Sequence, residues 1–225
     1  MTNLIPMGDQ AALAYFAKEA DAFRFADQIR LAKDVWLVDV VQAYVSVAVF
    51  FDLDQTRYHL VADRLRQLSA RDGSEIQVHE GRLHRVPCCY DFPLDLPRIA
   101  VSTGLSVEEI IRLHSETEYT VYAIGFCPGF PYLGYLSPPL CGVPRLETPR
   151  LRVEAGSVGL TGRQTGIYTE PRPGGWNLVG RTPLELVNVT DGYFPLRTGD
   201  RVRFERIDER EYRRLRKVRL GDKIK

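Results

Sequence analysis

The first ninety residues alternate between two spacings of apolar side chains. Ala22, Phe25, Ala26 and Ile29 recur three or four residues apart, which indicates a helix with one apolar face. Other runs are nearly continuous in β-branched and aromatic residues, which is typical of strands. The predicted elements, in the order strand, helix, strand, strand, helix, strand, are Ala11–Ala17, Ala22–Ala32, Val35–Ala43, Val45–Phe51, Arg57–Leu68 and Leu83–Tyr90.

This β-α-β-β-α-β order is that of a ferredoxin-like unit, in which two helices connect the strands of one sheet. Helical spacing follows over Leu94–Ser102 and ends at Gly104. Ser106 and Glu109 then form a capping box, which predicts a helix that continues to about Glu116.

Residues 121–200 are rich in turn-forming residues, with 13 of the chain's 18 glycines and 10 of its 14 prolines. Short β-rich runs between turns predict a compact β-barrel. These runs are Thr120–Phe126, Ser157–Leu160, Gly166–Tyr168, Leu184–Asn188 and Arg201–Glu205. The sequence therefore predicts an α+β protein with a ferredoxin-like domain at residues 1–92 and a β-barrel domain at residues 93–225.

The C-terminal segment is strongly basic. Arg210–Lys225 contains eight basic and two acidic residues, a net charge of +6. Asp208 and Glu211 have capping-box spacing, so we predict a helix over Glu209–Arg216. A solvated terminal helix and a docking surface for an acidic partner both fit this pattern.

The whole chain has 225 residues, is 44% hydrophobic and has a formal charge of +1. This composition fits a globular protein and shows no charge bias towards nucleic acid or a membrane surface. Polar residues interrupt Val35–Phe51, the longest apolar stretch, and Met1–Gln10 does not resemble a signal peptide. We therefore expect a cytoplasmic protein.

Several kinds of catalytic site are absent from the sequence. No lysine lies between Asp34 and Arg216, which excludes a Walker A motif and a Ser–Lys pair from the central chain. There is no Gly-x-Ser-x-Gly or HExxH motif, and the four cysteines form no CxxC pair. The chain alone is therefore a poor candidate for a complete hydrolase, and we expect no metal site.

Three glycine-rich segments combine aromatic rings with amides, hydroxyls and arginines: Gly125–Gly134, Gly162–Tyr168 and Gly174–Thr182. Such side chains can bind a carboxylate, a phosphate or an amide. We predict that the segments form one ligand pocket or partner surface. Its candidate residues are Phe130, Tyr132, Gln164, Thr165, Tyr168, Trp176, Asn177 and Arg181.

Two alternatives remain open for these residues. The polar side chains could satisfy the backbone of tight turns. The aromatic residues, together with Phe126, could fill the barrel core or lie partly exposed in loops as an interaction surface.

The same segments resemble a known family. Gly125–Leu136, Pro144–Arg150, Ala155–Gly159, Gln164–Tyr168 and Pro173–Pro183 closely resemble the family of 5-oxoprolinase B subunits, also called KipI-like or the first subunit of allophanate hydrolase. The resemblance extends to Leu113-His114-Ser115 and Val41-Gln42-Ala43-Tyr44 and covers nearly the whole chain. It implies a ferredoxin-like N-terminal domain and a cyclophilin-like barrel at the C-terminus.

The resemblance also implies a function. The main interpretation is a carboxyltransferase-domain C/D subunit, inactive alone, of a cytoplasmic ATP-dependent 5-oxoprolinase that converts 5-oxoproline to glutamate. Its partners would be proteins like the A and C subunits of 5-oxoprolinase, and ATP would bind somewhere in the complex. The alternatives are a regulator that inhibits a sensor histidine kinase, and an accessory subunit in allophanate or urea breakdown.

His114 is the histidine of most interest because it ends a helix just before the barrel and lies in the Leu-His-Ser motif. Two roles fit this position. It could interact with the helix C-terminus as a structural cap, or it could act on a substrate as a catalytic residue.

Overall fold

The computed structural model describes residues 1–70, 81–92 and 95–222. The chain divides into two compact units, Met1–Glu80 and Gly81–Lys225. Within the described residues, no helix is both long enough and apolar enough to cross a membrane.

The N-terminal unit is a four-stranded antiparallel sheet with two helices. Its elements are β1 (Asn3–Pro6), β2 (Ala11–Tyr15), α1 (Glu19–Ala32), β3 (Leu37–Ala43), β4 (Ser46–Phe51) and α2 (Tyr58–Ser69). The strand order is β1-β2-β4-β3, and every neighbouring pair is antiparallel. Alternate residues of β2 and β4 pack with the apolar faces of both helices in one core. The predicted helices and the first three predicted strands are therefore present. The pair Asp72-Gly73, a turn signal in the sequence that predicts the end of the second helix, lies outside the described residues.

The predicted fourth strand of this unit is wrong. Leu83–Cys89 forms a strand, but it pairs in the C-terminal unit, and the short N-terminal strand Asn3–Pro6 lies beside β2 instead. Strand propensity identifies an extended segment without identifying its partner, which explains the error. Pro6 weakens the strand signal of β1, although proline is tolerated at the end of an edge strand. The division between the units accordingly precedes this segment, whereas the predicted boundary follows it.

The C-terminal unit is built around a closed seven-stranded barrel. The unit has nine strands in its described residues, seven in the barrel and two outside it: β5 (Leu83–Cys89), β6 (Glu118–Ile124), β7 (Pro131–Gly134), β8 (Arg150–Val153), β9 (Ser157–Thr161), β10 (Gln164–Ile167), β11 (Arg172–Gly174), β12 (Asn177–Arg181) and β13 (Arg201–Ile207). The barrel order is β10-β7-β6-β13-β5-β12-β9, and β8 and β11 form a separate two-stranded ribbon. The hydrophobic core of the C-terminal unit includes Val86, Tyr119, Val121, Leu133, Leu160 and Phe204.

Helices α3 (Leu96–Thr103), α4 (Val107–Glu116) and α5 (Glu209–Arg214) complete this unit. The Ser106 hydroxyl accepts the Glu109 backbone N–H at 3.3 Å, and Glu109 accepts the Ser106 N–H at 2.9 Å, which confirms the predicted capping box. Asp208 caps α5, which ends two residues before its predicted end. The predicted run Leu184–Asn188 is not a strand and forms only isolated bridges, at Glu185 and Asn188.

Candidate functional site

Five aromatic residues form what we call the aromatic cluster: Phe126, Phe130, Tyr132, Tyr168 and Trp176. The centroid of the Phe130 ring lies 5.3 Å from that of Tyr168 and 5.5 Å from that of Trp176, and both contacts are edge-to-face. Phe130, Tyr168 and Trp176 are buried, Tyr132 is partly buried and Phe126 is 58% exposed. Most of the cluster is therefore core, and only its rim faces solvent.

Two glycines allow this packing. A Cβ at Gly166 would lie 2.9 Å from the Phe130 ring, and one at Gly174 would lie 2.2 Å from the Tyr168 hydroxyl. The glycine-rich segments therefore fold around the aromatic rings instead of presenting all of them on loops.

Arginines lie beside the rim of the aromatic cluster. Burial raises the pKa of the Tyr132 phenol, and the charge of Arg145 opposes this rise. Burial likewise raises the pKa of Tyr168, opposed by a hydrogen bond from the Trp176 backbone and by Arg145 and Arg150. The motif Pro144–Arg150 thus supplies positive charge next to two phenols, which sequence reasoning did not include among the site residues.

Asn177 is fully buried and its amide is fully engaged. It donates to the Pro144 carbonyl at 2.8 Å and accepts from Arg98 Nε at 3.0 Å. Nearby, the Asp95 carboxylate binds Arg150 at 2.6 Å and accepts the Leu178 N–H at 2.7 Å. These bonds hold the start of α3 against β12, so Asn177 has a structural role here.

Thr165 and His114 belong to one buried hydrogen-bonded chain. The Thr165 hydroxyl donates to the Gly159 carbonyl at 2.9 Å, so its oxygen accepts from His114 Nε2 at 3.0 Å. His114 Nδ1 must then accept from the Tyr90 hydroxyl at 2.8 Å. The imidazole is fully buried and stacks on Phe204 with 4.7 Å between ring centroids. This geometry fits a structural histidine whose two nitrogens are occupied.

Burial lowers the pKa of His114 from 6.5 to about 3, so the folded state holds it neutral. Between pH 6.5 and 3 the unfolded chain binds this proton and the folded chain does not, so stability is lost as the pH falls. We expect the stability difference between the wild-type protein and His114→Phe to shrink by about 2–3 kcal/mol from pH 6.5 to 4.5. Urea unfolding at several pH values measures this change.

The control for this experiment is His59→Gln, which removes an exposed histidine of α2. Its stability should follow that of the wild-type protein at every pH. A wild-type advantage over His114→Phe that stays constant from pH 6.5 to 4.5 would contradict the assignment.

The last two candidates, Gln164 and Arg181, lie at strand ends. Gln164 begins β10, is half-buried and pairs with Gly134 and Thr161. Arg181 ends β12 opposite Ser157, and its guanidinium lies 5.5 Å from the Phe92 ring centroid. Within residues 1–70, 81–92 and 95–222, Arg181 Nε and Ser157 Oγ are buried without a hydrogen-bond partner.

The eight predicted site residues therefore occupy different environments. Phe130, Tyr168 and Trp176 share one core with Tyr132 at its rim, Thr165 and Asn177 are buried in hydrogen-bonded networks, and Gln164 and Arg181 lie at strand ends. In the described part of the chain, no group of three or more histidine, cysteine, aspartate or glutamate side chains could hold a metal ion.

A cleft of about 500 Å³ lies beside the start of β9 and the end of β12. Tyr168 lines it, as do Gly156 and Thr182 of the segments that carry the family resemblance, and Arg216 and Lys217 of the basic segment. Sequence reasoning included neither of these two cations in the site. The basic composition of the C-terminal segment was the available signal.

Residues 2–193 match the family described as "Carboxyltransferase domain, subdomain C and D". The 5-oxoprolinase B subunit of Bacillus subtilis is 38% identical over 192 residues, which cover 78% of this chain and 78% of that protein. The 5-oxoprolinase B subunit of Haemophilus influenzae is 37% identical over 90% of this chain and 96% of its own length.

Solved structures also resemble the chain. TTHA0988 is 35% identical with a TM-score of 0.76, and the match covers 89% of this chain and 40% of that one. The K. lactis urea amidolyase is 18% identical with a TM-score of 0.75 over 97% of this chain and 16% of the larger protein. At that identity, the likeness shows the fold alone.

Proposed function

The chain belongs to the family of 5-oxoprolinase B subunits, and we propose that it is a non-autonomous component of an ATP-dependent 5-oxoprolinase that converts 5-oxoproline to glutamate. The observation that carries this proposal is the match to two proteins named as B subunits of 5-oxoprolinase, over 78% and 96% of their lengths. The proposed partners are proteins like the A and C subunits of that enzyme, and ATP is the proposed cofactor of the assembled complex.

The state of His114 supports dependence on partners. This histidine is the catalytic candidate of the sequence, and it is fully buried with both ring nitrogens hydrogen-bonded. A neutral, enclosed imidazole is poorly placed to exchange protons with a substrate. We therefore propose that the chemistry requires groups from the other subunits.

Two structural proposals accompany this function. In the N-terminal unit, α1 connects β2 to β3 while β4 lies between them, which is a split βαβ arrangement and supports a ferredoxin-like domain. The closed barrel and the family resemblance support a cyclophilin-like C-terminal domain.

The proposed location of the protein is the cytoplasm. All four cysteines are free thiols, which suits this reducing compartment.

The test is co-expression of the full chain with its two proposed partner proteins, followed by an assay for glutamate that depends on both ATP and 5-oxoproline. We expect the three proteins together to form glutamate, and this chain alone or the two partners alone to form none above background. Robust turnover by the isolated chain, or no turnover by a complex that purifies intact, would overturn the proposal.

A further inference from the structure

The cleft beside the start of β9 and the end of β12 has the size of a small-molecule site. Its volume of about 500 Å³ lies within the ordinary range for ligand pockets. Its lining includes Gly156, Thr182 and Pro183, which flank β9 and β12, and Tyr212, Arg216 and Lys217 of the C-terminal segment. The basic C-terminal segment is therefore part of a concave surface.

Two cations of that segment differ from their neighbours. Arg213 binds Glu209 at 2.7 Å, Arg214 binds Glu211 at 2.6 Å, and Arg219 binds Glu185 at 2.8 Å. Arg216 and Lys217 form no ion pair with any residue in the described ranges, and both line the cleft.

The carboxylate in the cleft does not neutralise these cations. The Glu185 carboxylate accepts hydrogen bonds from Arg219 Nε at 2.8 Å and from Asn188 Nδ2 at 2.9 Å. These bonds lower the pKa of its carboxyl group. With Glu185 matched to Arg219, the charges of Arg216 and Lys217 remain as a positive potential in the cleft.

Backbone hydrogen bonds hold the Lys217–Val218 segment beside Pro183 and Glu185. Its N–H donates to the Pro183 carbonyl at 3.4 Å, and the Glu185 N–H donates to the Val218 carbonyl at 2.9 Å. Lys217 has a φ of 68°, a left-handed conformation that is uncommon for a residue with a long side chain. A strained cationic residue in a cleft is a recurring feature of binding sites.

Arg181 and Thr182 lie where β12 ends beside the cleft. Arg181 Cγ would lie 3.6 Å from a Cβ placed on Gly156, which lines the cleft, and Arg181 Nε is buried without a partner among the described residues. Thr182 Oγ1 accepts the Leu184 N–H at 3.3 Å, so its own O–H can still donate. Thr182 thus offers a hydroxyl donor to the cleft.

We propose that this cleft binds the oxyanion of a small ligand, a carboxylate or a phosphate group, with Arg216 and Lys217 as its principal charge partners. Two cations and a free hydroxyl donor are the groups that bind such oxygens through charge-assisted hydrogen bonds. The site does not depend on the proposed oxoprolinase activity, because its residues and charges are present in this chain alone.

The test measures binding to the full chain by calorimetry at low ionic strength. The probes are inorganic phosphate, 5-oxoproline as the carboxylate, and 2-pyrrolidinone as the uncharged lactam. The test variant is Arg216→Gln combined with Lys217→Asn, since asparagine tolerates the left-handed conformation. The control is Arg210→Gln, which removes an exposed cation of α5 that belongs to the same basic segment but lies outside the cleft.

We expect phosphate or 5-oxoproline to bind the wild-type chain, about 10-fold or more weakening in the double variant, and no comparable change in the control. Preference for one probe identifies the source of the oxyanion. Binding of neither anion to the wild-type chain, equal binding to the double variant, or equally tight binding of 2-pyrrolidinone would overturn the proposal. An inactive three-protein complex would leave this result unchanged, so the two proposals fail separately.

Discussion

A fragment of residues 93–225 should fail to fold, whereas a fragment of residues 81–225 should keep the barrel. The difference is β5, which lies between β13 and β12 and pairs with β13 along all seven residues, Leu83–Cys89. Without it the barrel is open, and the bonding edges of two strands are exposed.

The expected size of this effect follows from the side chains that β5 and the adjoining Tyr90 bury. Val86, Cys88, Cys89 and Tyr90 are all at most 3% exposed. At about 2 kcal/mol for each buried apolar side chain, their loss removes on the order of 8 kcal/mol, which is comparable to the whole stability of a domain. Circular dichroism and thermal unfolding of the two fragments measure the difference.

The fragment of residues 81–225 is the matched control, since it adds β5 to the same barrel segments. We expect it to unfold cooperatively. Cooperative unfolding of the 93–225 fragment with a comparable midpoint would show that β5 is dispensable, and would favour the domain boundary at residue 92.

The second large effect concerns Phe130. Phe130→Ala should destabilise the protein by about 3–5 kcal/mol, because it removes a buried ring that contacts Tyr168 and Trp176. The melting temperature should fall by roughly 6–20 °C. Trp176→Ala should act similarly, since this indole is also buried in the aromatic cluster.

Phe126→Ala provides a control within the same cluster. It removes the same kind of side chain, but Phe126 is 58% exposed, so little stability should be lost. Thermal melts and partner pull-down on all three variants separate a core role from an interaction surface. A Phe130→Ala protein that melts like the wild-type protein but no longer binds its partner would restore the surface interpretation.

The candidate site depends on side-chain orientations that the sequence does not specify. The three glycine-rich segments contribute Phe130, Tyr168 and Trp176 to one buried cluster, and the ligand pocket or partner surface expected of them stays a prediction. Which of their side chains face solvent was not predictable, because loop residues in a small barrel can point inwards as easily as outwards. The cleft was missed because its cations come from a segment whose position depends on backbone bonds to Pro183 and Glu185.

The sequence by itself determined the local elements. The helices at Glu19–Ala32, Tyr58–Ser69 and Val107–Glu116 follow from apolar spacing and, for the last, from the Ser106–Glu109 capping box. These patterns involve residues only three or four positions apart, so the sequence alone is enough to predict the helices.

The tertiary structure alone decided which strands pair. The sequence of Leu83–Cys89 predicts a strand that could belong to either unit. Its parallel pairing with Arg201–Ile207 places it in the barrel. The Arg82 N–H donates a hydrogen bond to the Asp200 carboxylate, which is 118 residues away in the sequence. Contacts of that length depend on the simultaneous burial of many side chains, so no local pattern specifies them.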